Sequence, residues 1–567
     1  MNLDSLQKQI KENGLDALYV NLNNMFIGQD ILDEENNILK LTGFSGSAAE
    51  LIVTPDKAYL FTDGRYELQA KRQTDNEKVE IFINSRDLYD FIENYKGGKD
   101  IKIGFNPWTV SFDKFEKLQF LTDKRKDGKL AFVPSGLIKH NTSVKKPKVF
   151  ELDIKYAGES REKKIKDLLK HIKNAQIDAY LFTAADSVSW LLNLRSDYNP
   201  SSPVLRAFAL VDKNLNLTVF SDDFARLNSL TAVNIAEIEN EIAKYHGQKI
   251  SFDKNSPVVL LSIMEKNNIE ACHFFDVCNE KKAIKNKAET ACMKNAHLKD
   301  GAAVTKLLYW LENNWKEKTE LDIAAKLFDL RKEQELFFSN SFDTIAGYGA
   351  NGAVVHYRPN EKTNKEIKNG SFLLLDSGGQ YFDGTTDVTR TAAIGNISEE
   401  MKDNYTLVLK SHIALANASF PNKTPGMKLD AIAREVLLKQ GKDYNHGTGH
   451  GVGFFLNVHE GPQRISPKES DYPFLENMIV SIEPGYYKEN AYGIRIENLY
   501  LVKQSLENGM LKFEALTLIP IEVKNINKKM LTKDEIYWIN NYNQSVFEKL
   551  SPLLGKEENN WLKNHKL

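Results

Sequence analysis

Two stretches in the first half of the chain repeat one pattern. From Ser5 to Val20, apolar positions recur at helical spacing, then pass through Gly14-Leu15-Asp16 into the β-rich run Ala17-Leu18-Tyr19-Val20. From Lys164 to Thr183 the same order returns, ending in Gln176-Ile177-Asp178-Ala179-Tyr180-Leu181-Phe182. Apolar residues three and four apart predict a helix, and a short aromatic and β-branched run predicts a strand. A second match follows at a similar offset. Val53 to Asp63 and Val211 to Asp222 each read as two apolar strands joined by a turn containing Asp-Lys. Any α/β protein offers such pieces singly. Two matches in the same order predict two related domains.

The pattern also marks the joins. Val144-Lys145-Lys146-Pro147-Lys148 is basic and broken by proline, which predicts a linker and a first domain over 1–150. A second boundary is expected near Lys281 to Asn286, giving a second domain over 151–285. Ala288 to Leu311 then reads as one long helix. The chain to about residue 520 alternates helices, apolar strands and Gly-rich turns, a third domain over 286–520. In the tail, 521–567, Thr532-Lys533-Asp534-Glu535 is a capping box that opens a helix at Ile536.

Length and charge narrow the classes. At about 150 residues per domain, 567 residues make three or four domains. A formal net charge of −2 gives no electrostatic reason to expect nucleic acid or an anionic membrane as partner. The three cysteines, Cys272, Cys278 and Cys292, are too few for a disulfide scaffold and do not fit a zinc pattern, so reduced thiols in a cytosol-like compartment are expected. Met1 to Leu6 lacks the basic start and apolar core of a signal peptide, and no apolar run approaches the roughly 18 residues of a membrane span.

The informative polar residues crowd into the third block. Phe372-Leu373-Leu374-Leu375-Asp376 reads as a buried strand ending in a carboxylate, although Asp-Ser-Gly-Gly is also good turn chemistry. In Gly384-Thr385-Thr386-Asp387-Val388-Thr389-Arg390, period two puts Thr385, Asp387 and Thr389 on one strand face. A turn through Gly384 would set Asp387 beside Asp376; the plainer alternative pairs Asp387 with Arg390 on a solvated hairpin. Met478 to Glu483 is a second apolar strand ending in a carboxylate. In Tyr492 to Leu499, Ile494 and Ile496 are expected to face one way and Arg495 and Glu497 the other, which alone reads as a surface ion pair. Between them, His446-Gly447-Thr448-Gly449-His450-Gly451-Val452-Gly453 surrounds an imidazole with glycines, so that the backbone can approach something closely. A phosphate loop does not fit, because no Lys-Ser/Thr follows.

Together these residues suit a metal site. Carboxylates with one imidazole favour Mn²⁺, Co²⁺, Fe²⁺ or Zn²⁺ over copper or a structural zinc. Asp376, Asp387, Glu483 and Glu497 balance the charge of two divalent ions, which at about 3.5–4 Å apart would hold a hydroxide nucleophile at neutral pH.

In order and surroundings, these residues resemble the metallopeptidases of the pita-bread fold, which include methionine aminopeptidase, X-Pro aminopeptidase (aminopeptidase P) and X-Pro dipeptidase (prolidase). The resemblance implies that Asp376 holds one metal, that His450 and Glu483 hold the other, and that Asp387 and Glu497 bridge them. It is nearer to the cytosolic three-domain X-Pro aminopeptidases. Leu41-Thr42-Gly43-Phe44-Ser45-Gly46-Ser47, Phe61-Thr62-Asp63-Gly64-Arg65-Tyr66, Ser189-Trp190-Leu191-Leu192-Asn193-Leu194-Arg195, Val355-His356-Tyr357, Val458-His459-Glu460-Gly461-Pro462 and Phe513 to Pro520 carry it. The fold it implies is α/β and α+β: two related creatinase-like α/β domains followed by a pita-bread (α+β) catalytic domain with a helical extension.

The resemblance further implies that His356, His459 and Glu483 are catalytic, with Glu483 taking the proton from a metal-bridging hydroxide. It assigns His356, His446, His459 and Arg495 to substrate binding and site orientation. Mn²⁺ is the expected metal, with Zn²⁺ or Co²⁺ as alternatives. Peptides with N-terminal Xaa-Pro are the expected substrates, a homodimer the expected assembly, and neither nucleic acid nor membrane an expected partner. Proline nitrogen carries no N–H, so a peptidase that grips that group loses its contact and a dedicated enzyme is needed. Prolidase is the enzymatic alternative, but it usually has one leading domain, whereas two repeat here. A non-catalytic pita-bread binding protein is a further alternative, weighed down by retention of all five ligand positions; the metal-free creatinases are disfavoured for the same reason.

Overall fold

The computed structural model describes residues 2–27, 31–84, 86–95, 100–124, 129–138, 146–468, 472–506 and 509–567. Val144 and Lys145 of the expected linker lie outside the described residues. The chain divides into two compact units. The first comprises Met1–Leu152, Glu159–Asn199 and Pro203–Cys278; the second comprises Asp153–Gly158, Pro200–Ser202 and Asn279–Leu567.

The repeat read from the sequence reappears as identical wiring of two sheets in the first unit. Helix α1 (Leu3–Glu12) buries Leu3, Leu6 and Ile10 on one stripe and leads into strand β1 (Ala17–Asn21). Strands β2 (Glu50–Val53), β3 (Ala58–Phe61) and β4 (Val79–Phe82) extend the sheet to one side, and β5 (Asp100–Phe105) and β6 (Lys129–Pro134) to the other. β1–β2 and β2–β3 are antiparallel; β3–β4, β1–β5 and β5–β6 are parallel. Helix α2 (Arg161–Asn174) leads in the same way into β7 (Ala179–Phe182). β8 (Phe208–Asp212) and β9 (Leu217–Phe220) follow antiparallel, β10 (Leu230–Val233) lies parallel to β9, and β11 (Lys249–Phe252) and β12 (Glu270–His273) lie parallel on the far side of β7. Matched one for one, the two sets of six strands share order and direction. The second sheet adds a short edge strand at Arg226–Leu227.

The second unit opens with helix α3 (Lys287–Asn314), started by a capping box between Asn286 and Glu289. This box satisfies two of the otherwise orphaned N–H groups of the first turn. Helix α4 (Glu320–Lys332) follows. Two antiparallel sheets then carry the candidate site. In the smaller, β13 (Ile345–Tyr348), β14 (Ser371–Ser377) and β15 (Val388–Ile394) pair in that order. In the larger, β16 (Ser419–Pro421), β17 (Gly449–Gly451), β18 (Glu460–Ile465), β19 (Ile479–Ile482), β20 (Asn498–Gln504) and β21 (Met510–Ala515) stand in the order β16-β21-β20-β19-β17-β18. Helices Glu399–Ala416 and Lys533–Leu550 contribute buried residues to an apolar core that includes Ile494 and Ile496, beside the site. The capping box between Thr532 and Glu535 forms as expected. No helix among the described residues is long and apolar enough to cross a membrane.

Two strands are interrupted where the pattern read as continuous, although Ile494 and Ile496 do face the apolar core and Arg495 and Glu497 the other side. Thr385 and Thr389 do not share a continuous strand with Asp387, because Gly384–Thr385 and β15 belong to different sheets and residues 386 and 387 lie between them. The strand Tyr492–Arg495 likewise ends before Glu497, and β20 starts at Asn498. Both breaks fall at a carboxylate, where the backbone leaves one sheet and joins the next.

Candidate metal centre

Strand ends deliver the carboxylates. Asp376 is the penultimate residue of β14, in register with Thr389 of β15. Asp387 immediately precedes β15, Glu483 immediately follows β19, and Glu497 immediately precedes β20. His450 is the middle residue of β17, whose backbone must lie close against its neighbour: a Cβ on Gly449 would sit 1.9 Å from the Ser481 carbonyl oxygen. The glycines flanking His450 therefore serve the approach of adjacent strands. At the turn after Asp376 the same holds for Gly378, where a Cβ would lie 2.0 Å from the Thr386 carbonyl oxygen.

The side chains converge. Carboxylate oxygens of Asp376, Asp387 and Glu497 lie within 4.8 Å of one another, as do ligand atoms of His450, Glu483 and Glu497, and those of Asp387, His450 and His459. Asp376, Asp387 and Glu497 are buried, at 8 %, 4 % and 2 % exposure. The side chains of Glu483 and His450 are more open, at 18 % and 17 %. Burial pushes the carboxyl groups of Asp387 and Glu497 well above the ordinary range, and neighbouring carboxylates push them further: Asp376 and Glu483 act on Asp387, while Asp387 and Glu483 act on Glu497. Glu483 is also raised, by burial first, against the favourable charges of His450 and Arg495.

A cation fits this arrangement for three reasons. His450 Nδ1 lies 2.9 Å from the Gly451 carbonyl oxygen, which can only accept, so the proton of a neutral ring sits on Nδ1. Nε2 then turns its lone pair toward Asp387 Oδ2 at 3.4 Å and Glu483 Oε1 at 3.5 Å, acceptor facing acceptors. Asp376 Oδ1 is buried without a hydrogen-bond partner. Finally, Arg495 is the buried guanidinium that donates to the cluster, and Arg331, which also feels Asp387, is already paired with Asp300, which leaves most of the four carboxylates' charge uncompensated. All-oxygen donors with one imidazole suit hard or borderline divalent ions.

Arg495 is not a surface residue paired with Glu497. It is 1 % exposed, and its Nη2 donates to Asp376 Oδ2 at 2.6 Å and to the Val355 carbonyl at 3.2 Å. Arg390 likewise leaves Asp387 aside. It donates to the carbonyls of Pro520, Glu497 and Ile519 and so stitches β15 to the segment after β21.

The remaining candidates lie around this cluster. His459 is exposed, with its ring centroid 4.2 Å from that of His450. His356 is half-buried and follows Val355, which accepts from Arg495. His446 stands outside the three groups and is linked to Arg495 through Tyr487: the Tyr487 hydroxyl lies 2.8 Å from His446 Nε2 and accepts from Arg495 Nη1 at 2.6 Å.

Sequence reading missed the contacts that steer the carboxylates. Thr389 Oγ1 donates to Glu497 Oε2 at 2.9 Å and accepts from Arg495 Nε at 3.2 Å. Ser481 Oγ donates to Glu483 Oε1 at 3.2 Å and accepts from the His450 N–H at 3.0 Å. Behind Asp376, the buried Arg331–Asp300 pair reaches Ser377 Oγ. Period two around Asp387 drew attention to Thr389, but nothing in the spacing marked Tyr487, Arg331 or Ser481.

Comparison with known proteins bears on this site. Residues 2–135 and 141–289 each match the creatinase/prolidase N-terminal domain, residues 291–504 match metallopeptidase family M24, and residues 509–566 match its C-terminal region. The chain belongs to metallopeptidase family M24, among its Xaa-Pro aminopeptidases with two creatinase-like N-terminal domains. It is 36 % identical to Xaa-Pro aminopeptidase 1 of Dictyostelium discoideum, over 99 % of this chain and 95 % of that one. The fold matches an X-prolyl aminopeptidase from Caenorhabditis elegans, described as a cytosolic enzyme with a di-nuclear active site, at a TM-score of 0.92 and 31 % identity, covering 99 % of this chain and 98 % of the other. A prolidase from Pyrococcus horikoshii aligns along 99 % of its own length but only 64 % of this chain, with a TM-score of 0.52 and 25 % identity.

Proposed function

We propose that the protein is a metal-dependent Xaa-Pro aminopeptidase that releases the first residue of peptides with proline in second position. The observation that carries this reading is the convergence of Asp376, Asp387, Glu483 and Glu497 from strand ends with His450 from the middle of β17, the buried carboxylates being short of positive charge. Full-length likeness to Xaa-Pro aminopeptidases supports the substrate class, and the second creatinase-like match favours it over prolidase.

In this reading Asp376 would hold one divalent ion and His450 and Glu483 a second, with Asp387 and Glu497 shared between the two, Mn²⁺ ahead of Zn²⁺ or Co²⁺. The bound ions supply Lewis acidity toward the scissile carbonyl and make water acidic enough to ionise near neutral pH. The side chains do the rest. Glu483, the more open of the carboxylates and steered by Ser481, takes the proton of the attacking water and carries it to the leaving proline nitrogen. His459 and His356 donate hydrogen bonds to the carbonyl oxygen as it gains charge. Arg495 keeps Asp376 oriented, and Tyr487 hands that order on to His446 on the proline side.

The domains belonging to this reading are 1–150, 151–285 and 286–520 with the extension 521–567, assembled as a homodimer in the cytoplasm. The test is an assay of metal-reconstituted protein on Arg-Pro-Pro and on the dipeptide Gly-Pro. Cleavage of the tripeptide is expected. Turnover of the dipeptide alone would replace this reading with prolidase, and no turnover with Mn²⁺, Co²⁺ or Zn²⁺ would favour a binding protein.

A further inference from the structure

The loop between His450 and His459 is buried along most of its length. Val452, Phe454, Phe455, Leu456 and Val458 are each 2 % exposed or less, while His459 at its end is exposed. Loops ordinarily run over the surface because their backbone groups need partners. From Val452 on this one lies outside every strand, and it closes a turn on itself from the Gly453 N–H to the Asn457 carbonyl at 3.0 Å. Phe455 stands at φ +50°, a left-handed backbone that is unfavourable for a bulky residue and persists only where the surroundings enforce it. Its ring packs 5.2 Å from both Phe338 and Phe382.

Gln380 supplies a polar hold on this loop. It is fully buried in the short strand Gly379–Tyr381, and its whole amide is engaged. Nε2 donates to the Leu456 carbonyl at 2.7 Å and to the Ser201 carbonyl at 2.8 Å, while Oε1 accepts from Thr385 Oγ1 at 2.7 Å. Ser202 Oγ donates to Asn457 Oδ1 in the same loop. The segment Pro200–Ser202 clusters with this unit although its flanking residues do not. One amide thus ties the middle of the loop to two other parts of the unit, and the two ends of the loop carry His450 and His459, whose rings are 4.2 Å apart.

We propose that Gln380 is a positioning residue for the reaction: through the Leu456 carbonyl it fixes the loop that sets His459 against His450, and so places the His459 imidazole on the substrate carbonyl. This inference rests on the functional reading above. A misplacement of about 1 Å at a group that meets the transition state costs up to about 100-fold in rate. Gln380→Glu keeps the shape but turns acceptors toward two carbonyls; Gln380→Met removes the hydrogen bonds without adding charge and serves if the first variant does not fold.

The full-length, Mn²⁺-loaded variants are compared with wild type on Arg-Pro-Pro. Metal content and circular dichroism are expected to match wild type, KM to stay within about twofold, and kcat to fall at least about tenfold. Combined with His459→Ala, Gln380→Met is expected to add no further loss, because both remove the same contact. An unchanged kcat in metal-loaded Gln380→Met, losses that multiply in the double variant, or a kcat that falls only in step with metal content would overturn this inference alone. A wild-type protein inactive on every Xaa-Pro peptide would overturn the functional reading and this inference with it.

Discussion

The two units of the molecule differ in how much paired charge they bury. In the first, ion pairs stand mostly in water, such as Lys57–Glu80 at 40 % and 45 % side-chain exposure and Lys78–Asp4 at 52 % and 67 %. In the second, Lys285–Glu460 is wholly buried, Arg331–Asp300 is 0 % and 3 % exposed, and Arg495–Asp376 is 2 % and 11 % exposed. An exposed pair contributes about 0–1 kcal/mol. A buried pair carries a desolvation cost that its attraction only offsets, so its presence calls for another reason than stability. Here the reason is position. Arg495 and Arg331 act on the end of β14 that presents Asp376, and Glu460 adjoins His459. Charge buried at a cost maps the part of the fold where chemistry is expected.

The strongest way to break this contrast is at the cluster itself. His450→Ala is expected to lower bound metal and to reduce Xaa-Pro cleavage by more than about 100-fold while circular dichroism stays native; full activity with full metal content would refute the ligand assignment. Next comes Lys285→Met, which leaves Glu460 paired with Lys282 at 3.3 Å. Because Lys282 still compensates the carboxylate, denaturant unfolding should show a loss of about 1.5–3 kcal/mol in the second unit, that of a hydrogen bond to a charged group, and a loss under about 1 kcal/mol would mean the buried pair is no more than a surface one.

The first unit has its own buried carboxylate, which makes a third test. Asp276 is 5 % exposed, and burial, aided by the charges of Asp253 and Asp186, raises its pKa to about 6. An unfolded Asp titrates near about 3.9, so the folded state binds more protons between about pH 4 and pH 6, and stability falls as pH rises through that window. Asp276→Asn should therefore stabilise the first unit by about 2–3 kcal/mol at pH 7 and gain nothing below about pH 4. A pH-independent effect in urea melts would assign the change to packing. The smallest effect belongs to Lys57→Met, expected within about 0.5 kcal/mol of wild type in the same melts.

The legible parts of the sequence were those carried by local pattern. Helix-then-strand order exposed the twin domains, apolar runs ending in Asp376 and Glu483 exposed strand ends, and the glycines around His450 announced a close approach. What stayed hidden depends on contacts between distant positions. Tyr487 joins His446 to Arg495 across 41 and 8 residues, and Thr389 meets Glu497 across 108. No periodicity records such pairings. Period-two reasoning also assumed unbroken strands, and both break at the carboxylates Asp387 and Glu497, although Ile494 and Ile496 do share the apolar core while Arg495 and Glu497 both meet Thr389.

Two successive domains wired alike face a hazard while they fold, since a strand of one can be captured by the sheet of the other. The hazard is concrete here: Ala-Tyr-Leu-Phe occurs both as β3 and as β7, places that do not correspond in the two sheets. In β3 its Tyr59 is half-buried beside antiparallel β2 and parallel β4; in β7 all four residues are buried between β8 and β11. The tetrapeptide itself does not say which seat is right. That choice falls to what precedes it, a turn over 55–57 in one case and helix α2 in the other, and to the order of synthesis, which lets the first domain close its own sheet before the rival strand emerges.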